Sequence, residues 1–196
     1  GQTLRERLEG EDSYVDHEVI RPLNEPVEPY GGLVSLFGSL APQGAILKRS
    51  AADSSLFERK GRAFVFHSLE DLSSRIDDPE LEVETDDFLI LQNAGPRSGT
   101  GMPESGYLPI PAKLAKTGVK DMVRISDARM SGTAFGTIIL HVTPEASVGG
   151  PLGLVRTGDI IELSVKNRRL DLNVQKNELK KRREEMKYKP ELKRKN

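Results

Sequence analysis

The chain has no cysteine and no tryptophan, only three histidines, and aromatic residues at just 5% of its 196 positions. Without cysteine there is no disulfide, no thiolate nucleophile, and no thiolate ligand for zinc or an iron–sulfur cluster within these residues. His17, His67 and His141 never fall at the three- or four-residue spacing of common zinc sites, which argues against a histidine metal cage. No apolar run approaches the roughly 18 residues of a membrane helix, and the first residues show no basic-then-apolar leader pattern. A soluble, cytoplasmic protein without membrane contact is therefore expected. With so few aromatics the core must be built from Leu, Ile and Val; 36% hydrophobic and 30% charged residues suit one soluble domain rather than two.

A net charge of −1 conceals an asymmetry, because residues 176–196 carry ten Lys or Arg against four Glu and leave the remainder acidic. Such a tail can bind nucleic acid or anionic membranes. Apart from Tyr188 it lacks interleaved aromatics, so a solvated, partly frayed helix is expected, with no nucleic-acid partner.

Thr3-Leu-Arg-Glu6 matches a capping box and predicts a short helix to about Leu8. Residues 10–30 are acidic, contain Pro22, Pro26 and Pro29, and read as an extended connector. Strands are expected within 33–40 and over 45–48, joined by the turn Ala41-Pro-Gln-Gly44. Further strands are expected over 62–67, 88–92, 122–126, 137–142, 159–165 and 169–174. Ser68 should cap a helix over 69–76, and a second short helix over 111–117 should close at Gly118. Gly158-Asp159 reads as a hairpin-type turn. The strands at 62–67, 88–92, 122–126 and 137–142 should form one curved core with helices outside, and no internal repeat is present.

Two loops just past strand ends could carry chemistry. The first, 93–106, has four glycines and two prolines in fourteen residues. Glycines permit the bends that aim consecutive amides at an anion, although they serve turn geometry alone equally well. Its glycine spacing is not that of a dinucleotide-binding fingerprint. Glu104, its one carboxylate, is either an oxygen ligand for magnesium or a helix-start carboxylate. The second loop, 126–137, is rich in hydroxyls; Ser131 before Gly132 can expose Oγ, but an ordinary nucleophilic serine needs a base that no histidine is positioned to be. His141, at a strand end, has no assigned role.

In order along the chain stand Gly-x-Thr-Leu-x-Glu-x-Leu at 1–8, Gly-Ser-Leu-Ala-Pro-Gln-Gly-Ala at 38–45, Asn-Ala-Gly-Pro at 93–96 and Gly-Met-Pro-Glu at 101–104. Ser-Asp-Ala-Arg-Met-Ser-Gly-Thr at 126–133, His-Val-Thr-Pro-Glu-Ala at 141–146 and Gly-Gly-Pro-Leu at 149–152 follow. Over roughly residues 1–186 this series resembles the dihydroxy-acid, phosphogluconate and aldonate dehydratases. Ala128, Ser39-Leu-Ala-Pro42 and Thr133-Ala-Phe135 look closer to the pentonate and hexonate members.

The resemblance implies a β-rich α/β fold, the swivelling β/β/α domain also seen in aconitases, over residues 31–175. Residues 1–30 would then link it to a missing amino-terminal domain, and 176–196 would be a basic carboxy-terminal helix. It implies an iron–sulfur cluster held by that partner domain and a magnesium ion to which Glu104 contributes. It further implies Ser131 as the base that removes the C2 proton of a 2,3-dihydroxy sugar acid, and Thr133 as a substrate contact. The full-length protein would be a hydro-lyase and a homo-oligomer such as a dimer, with the isolated chain inactive. The competing reading is a non-catalytic binding or regulatory module of the same fold.

Overall fold

A computed structural model of the chain describes residues 1–11, 15–104, 108–132 and 135–187. Residues 1–31 and 32–196 form separate compact units. In the first, helix α1 (Leu4–Leu8) begins at the expected capping box: Glu6 N donates to Thr3 Oγ1 at 3.3 Å and Thr3 N donates to Glu6 Oε2 at 2.7 Å. The remaining described residues of this unit form turns and bends.

The second unit is built on one sheet of β1 (Leu33–Leu36), β2 (Gly44–Lys48), β3 (Glu58–Phe66), β4 (Phe88–Leu91), β5 (Arg124–Ser126), β6 (Ile138–Thr143), β7 (Ile160–Ser164) and β8 (Arg169–Leu172). The strand order is β1-β2-β6-β5-β4-β3-β7-β8. Neighbours within β6-β5-β4-β3 run parallel, and the pairs on either flank run antiparallel. Parallel strands lie buried on both faces, which is why Phe88-Leu-Ile-Leu91 is an unbroken apolar run with every residue buried.

The two ends of the sheet meet. Phe37 N donates to Arg168 O and Leu170 N donates to Phe37 O, both at 2.9 Å, so the edges beside β1 and β8 satisfy each other and the sheet nearly closes. Gly38 permits this approach: a Cβ there would lie 2.1 Å from Leu170 O.

Alternation along each strand divides the core into two clusters. Leu36, Leu47, Val65, Ile90, Ile125 and Leu170 belong to a cluster drawn from all eight strands, the interior of the nearly closed sheet. Phe64, Phe66, Leu89, Leu91 and Leu140 face the other way, towards Leu72 of α2 (Leu69–Arg75) and Leu114 of α3 (Ala112–Lys116). The four expected core strands are thus the parallel centre, with these helices on its outer face. Ser68 caps α2 as anticipated, its Oγ accepting from Asp71 N at 3.1 Å.

Two expectations need correction. Gly158-Asp159 is not a hairpin between neighbouring strands; it leads from the short helical turn Pro151–Leu154 into β7, and Gly158 N donates to Ala63 O of β3. The basic helix α4 (Lys176–Lys187) is solvated on its outer face only. Arg182, 8% exposed, donates to both oxygens of Asp159 at 2.5 and 3.0 Å and to Leu154 O at 3.0 Å, while Leu179 packs against the core. A guanidinium with its donors filled by a carboxylate and a carbonyl is a strong anchor, and charge counting along the tail does not reveal it.

Candidate functional site

In open parallel sheets ligand sites gather beyond the carboxyl ends of the strands, and the glycine-rich loops leaving β4 and β5 occupy that position here. Arg129 fastens them together. Its amide donates to Pro103 O at 3.3 Å, its Nε donates to Met102 O at 3.2 Å, and its Nη2 pairs with Glu104 Oε1 at 2.9 Å. Glu104 is about half exposed and answered by the Arg129 guanidinium. The loop carrying Glu104 meets the loop carrying Ser131 two residues before that serine. Thr133 lies outside the described residues.

Beneath them, Asp127 joins three motifs. Its Oδ1 accepts from Ala94 N at 2.9 Å and its Oδ2 accepts from Ala146 N at 2.8 Å, so Asn93-Ala-Gly-Pro96, the Ser131 loop and the segment after β6 share one buried carboxylate. Burial pushes the Asp127 carboxyl above the usual range; its amide donors oppose that shift and the Glu145 charge adds to it. Glu145 is 8% exposed; its Oε1 accepts from Arg97 N at 2.9 Å and from Ser147 Oγ at 2.5 Å. The other oxygen, Oε2, is buried with no hydrogen-bond partner and lies where a Cβ on Gly95 would come within 2.3 Å of it. That contact explains the glycine in Asn-Ala-Gly-Pro.

His141 braces the Ser131 loop from below. Its N donates to Ala128 O at 3.0 Å, and its Nε2 accepts from Met130 N at 3.0 Å. The backbone there is left-handed, with φ of 55°. Burial holds the imidazole below its ordinary pKa, in keeping with an acceptor nitrogen.

Ser131 lines a cavity of about 550 Å³ with Met130, Gly132, His141, Lys48 and Ser50. Lys48 Nζ donates to Gly132 O at 2.5 Å. A second cavity of similar volume, also bordered by His141, holds Asp127, Glu145, Arg97 and Met102. Lys48, Asp127 and Glu145 had no assigned role at the level of sequence. Lys48 stands 84 positions from Gly132, and only the pairing of β2 with β6 brings them together.

No cluster of three or more His, Asp or Glu poised for a metal occurs among the described residues. Nor does the chain contain a cysteine, so an iron–sulfur cluster does not fit here. Magnesium fits only in part: Glu104 can give it one oxygen, on leaving Arg129. Among the described residues no helix is long and apolar enough to cross a membrane.

Residues 18–196 match the family model described as dihydroxy-acid/6-phosphogluconate dehydratase C-terminal. The chain is 53% identical to 6-deoxy-6-sulfo-D-gluconate dehydratase of Pseudomonas putida over 86% of its length, and 48% identical to L-arabonate dehydratase of Azospirillum brasilense over 93%. A dihydroxy-acid dehydratase of Oleidesulfovibrio alaskensis is 43% identical, again over 93% of this chain. The chain spans 30%, 31% and 33% of the lengths of these three relatives. With the motif segments at 93–96, 101–104, 126–132 and 141–146 joined by hydrogen bonds and the family model covering residues 18–196, the chain belongs to the dihydroxy-acid/6-phosphogluconate dehydratase family, as that family's carboxy-terminal domain.

Proposed function

We propose that this chain is the swivelling carboxy-terminal domain of a hydro-lyase that converts a 2,3-dihydroxy sugar acid to a 2-keto-3-deoxy acid. Ser131 takes the C2 proton, Thr133 contacts the substrate, and Glu104 contributes one oxygen to magnesium. The observation that supports this reading is the joining of the Glu104 and Ser131 loops through Arg129, which brings a carboxylate and a serine hydroxyl onto one loop cluster. A magnesium ion, and an iron–sulfur cluster on an amino-terminal domain with cysteines, would stabilise negative charge on the substrate oxygens and assist loss of the C3 hydroxyl.

This domain's own contribution is positional and basic. Ser131, as an alkoxide, removes the proton from C2 and returns it to the C3 hydroxyl, which departs as water and leaves Ser131 an alkoxide again; the resulting enol becomes the ketone. His141 and Lys48 hold the turn on either side of Ser131, and Asp127 keeps the neighbouring loops in register. The chain alone lacks the partner domain and is inactive in this reading. The full-length protein is a cytoplasmic homo-oligomer.

Exchange of the substrate C2 hydrogen with solvent deuterium in the full-length enzyme tests the assignment. Ser131→Ala is expected to abolish both exchange and turnover while substrate binding is kept. Exchange at the wild-type rate in that variant would remove Ser131 as the base.

A further inference from the structure

Lys48 ends β2, the strand that pairs with β6 on the side away from β5. Its ammonium donates to Gly132 O at 2.5 Å, the carbonyl of the residue directly after Ser131. Among the described residues around the Ser131 cavity, Lys48 is the one Lys, Arg, Asp or Glu; the others are apolar or glycine, the two serines Ser50 and Ser131, and His141. His141 already spends its Nε2 on the Met130 amide. The three-residue turn Met130-Ser131-Gly132 is therefore gripped at both ends, by an imidazole acceptor before the serine and an ammonium donor after it.

A serine hydroxyl is a poor base in water, and its alkoxide form needs a nearby cation in a site with little solvent. The family resemblance puts the iron–sulfur cluster and most of the magnesium ligands on another domain, whereas Lys48 brings a cation from this one. We propose that Lys48 is a positioning residue for Ser131, clamping the turn through Gly132 O and setting a fixed positive charge beside the hydroxyl to favour its alkoxide. The Ser131 proton leaves to solvent before catalysis. This rests on the reading of Ser131 as the base.

The test compares Lys48→Met, Lys48→Arg, Ser131→Ala and the Lys48→Met/Ser131→Ala pair in the full-length, cofactor-loaded enzyme. The probe is whichever of L-arabonate or 6-deoxy-6-sulfo-D-gluconate it turns over, with thermal melting and the visible absorbance of the cluster as checks on folding. Lys48→Met is expected to lower kcat by about 10- to 100-fold, the usual effect of losing one charge-assisted hydrogen bond, with KM within about twofold. Lys48→Arg should recover most of that loss, and Lys48→Met should add nothing in the Ser131→Ala background. Unchanged kcat in Lys48→Met overturns the proposal, as does a raised KM at constant kcat, which would make Lys48 a substrate-anion contact. The Ser131→Ala single variant judges the base assignment separately: inactive Ser131→Ala beside fully active Lys48→Met sinks the Lys48 role and leaves the base standing. Should Lys48→Met fail to fold, Lys48→Gln replaces it, keeping a neutral donor to Gly132 O while removing the charge.

Discussion

Nε2 of His141 accepts a 3.0 Å hydrogen bond from the amide of Met130, the residue immediately before Ser131. Only the unprotonated nitrogen can do this. Burial lowers the His141 pKa in the folded chain, so the unfolded chain takes up the proton first as pH falls. The stabilisation is fully present above about pH 6.5, the ordinary histidine value, and is lost as pH drops through the lower folded value. Amide exchange at Met130, corrected for the intrinsic pH effect, is expected to accelerate across that window. A His141→Phe variant should exchange quickly at every pH; a pH-independent, protected Met130 amide in the wild type would show that the bond does not control the loop.

Asp127 is expected to be the more severe structural position. Both its oxygens accept main-chain amides, from Ala94 and Ala146, in a buried site. Asp127→Asn would set an NH2 group against one of those amides, at a cost of about 1–3 kcal/mol for a buried unsatisfied donor. Asp127→Ala should destabilise more, since it strands both amides. Urea unfolding of the two variants gives the comparison, and a wild-type midpoint for Asp127→Asn would mean that water replaces the lost acceptor.

The elements were legible in the sequence where local chemistry decides them. The Thr3 box, the Ser68 cap and the continuous apolar run of β4 each carry their own signal, and each stands where expected. Long-range closure was not legible: nothing near Phe37 announces its pairing with Arg169, and Gly38 reads as an ordinary turn residue until Leu170 O is found against it. The site divides in the same way. Glu104 and Ser131 stood out through motifs whose loops do meet, whereas Lys48 looks like a solvated strand end until β2 is laid beside β6. Asp127 and Glu145 lay inside recognised motifs, but their burial and shared amides are products of the fold.

The docking of α4 should depend in part on the Asp159–Arg182 ion pair. Asp159 and Arg182 side chains are each 10% exposed; without Asp159 the guanidinium keeps Glu178 and Leu154 O but loses its two bonds to the Asp159 carboxylate. Asp159→Ala is expected to destabilise by about 1–3 kcal/mol, the usual effect of losing a hydrogen-bonded charged partner, whereas replacing both residues with apolar ones of similar volume should cost less. Circular dichroism during urea unfolding reads both. Equal losses for the single and double variants would assign the docking energy to Leu179 and its apolar neighbours instead.

Glu104 should matter little to folding and much to metal. Its partner Arg129 is 48% exposed and Glu104 itself 46%, so as a surface pair it contributes at most about 1 kcal/mol, and Glu104→Gln should scarcely change stability. Magnesium demands near-octahedral oxygen coordination, and a single carboxylate offers too few ligands; titration calorimetry on the chain alone should detect only weak binding. Arg129→Met would remove the competing guanidinium and raise that weak affinity slightly, without completing the site. In the full-length protein Glu104→Gln should lower magnesium affinity markedly, because there the other ligands are in place and a neutral amide oxygen is a weaker donor than the carboxylate it replaces. Tight one-to-one binding to the chain alone would reverse the division of labour, since the whole ligand set would then have to lie within this domain.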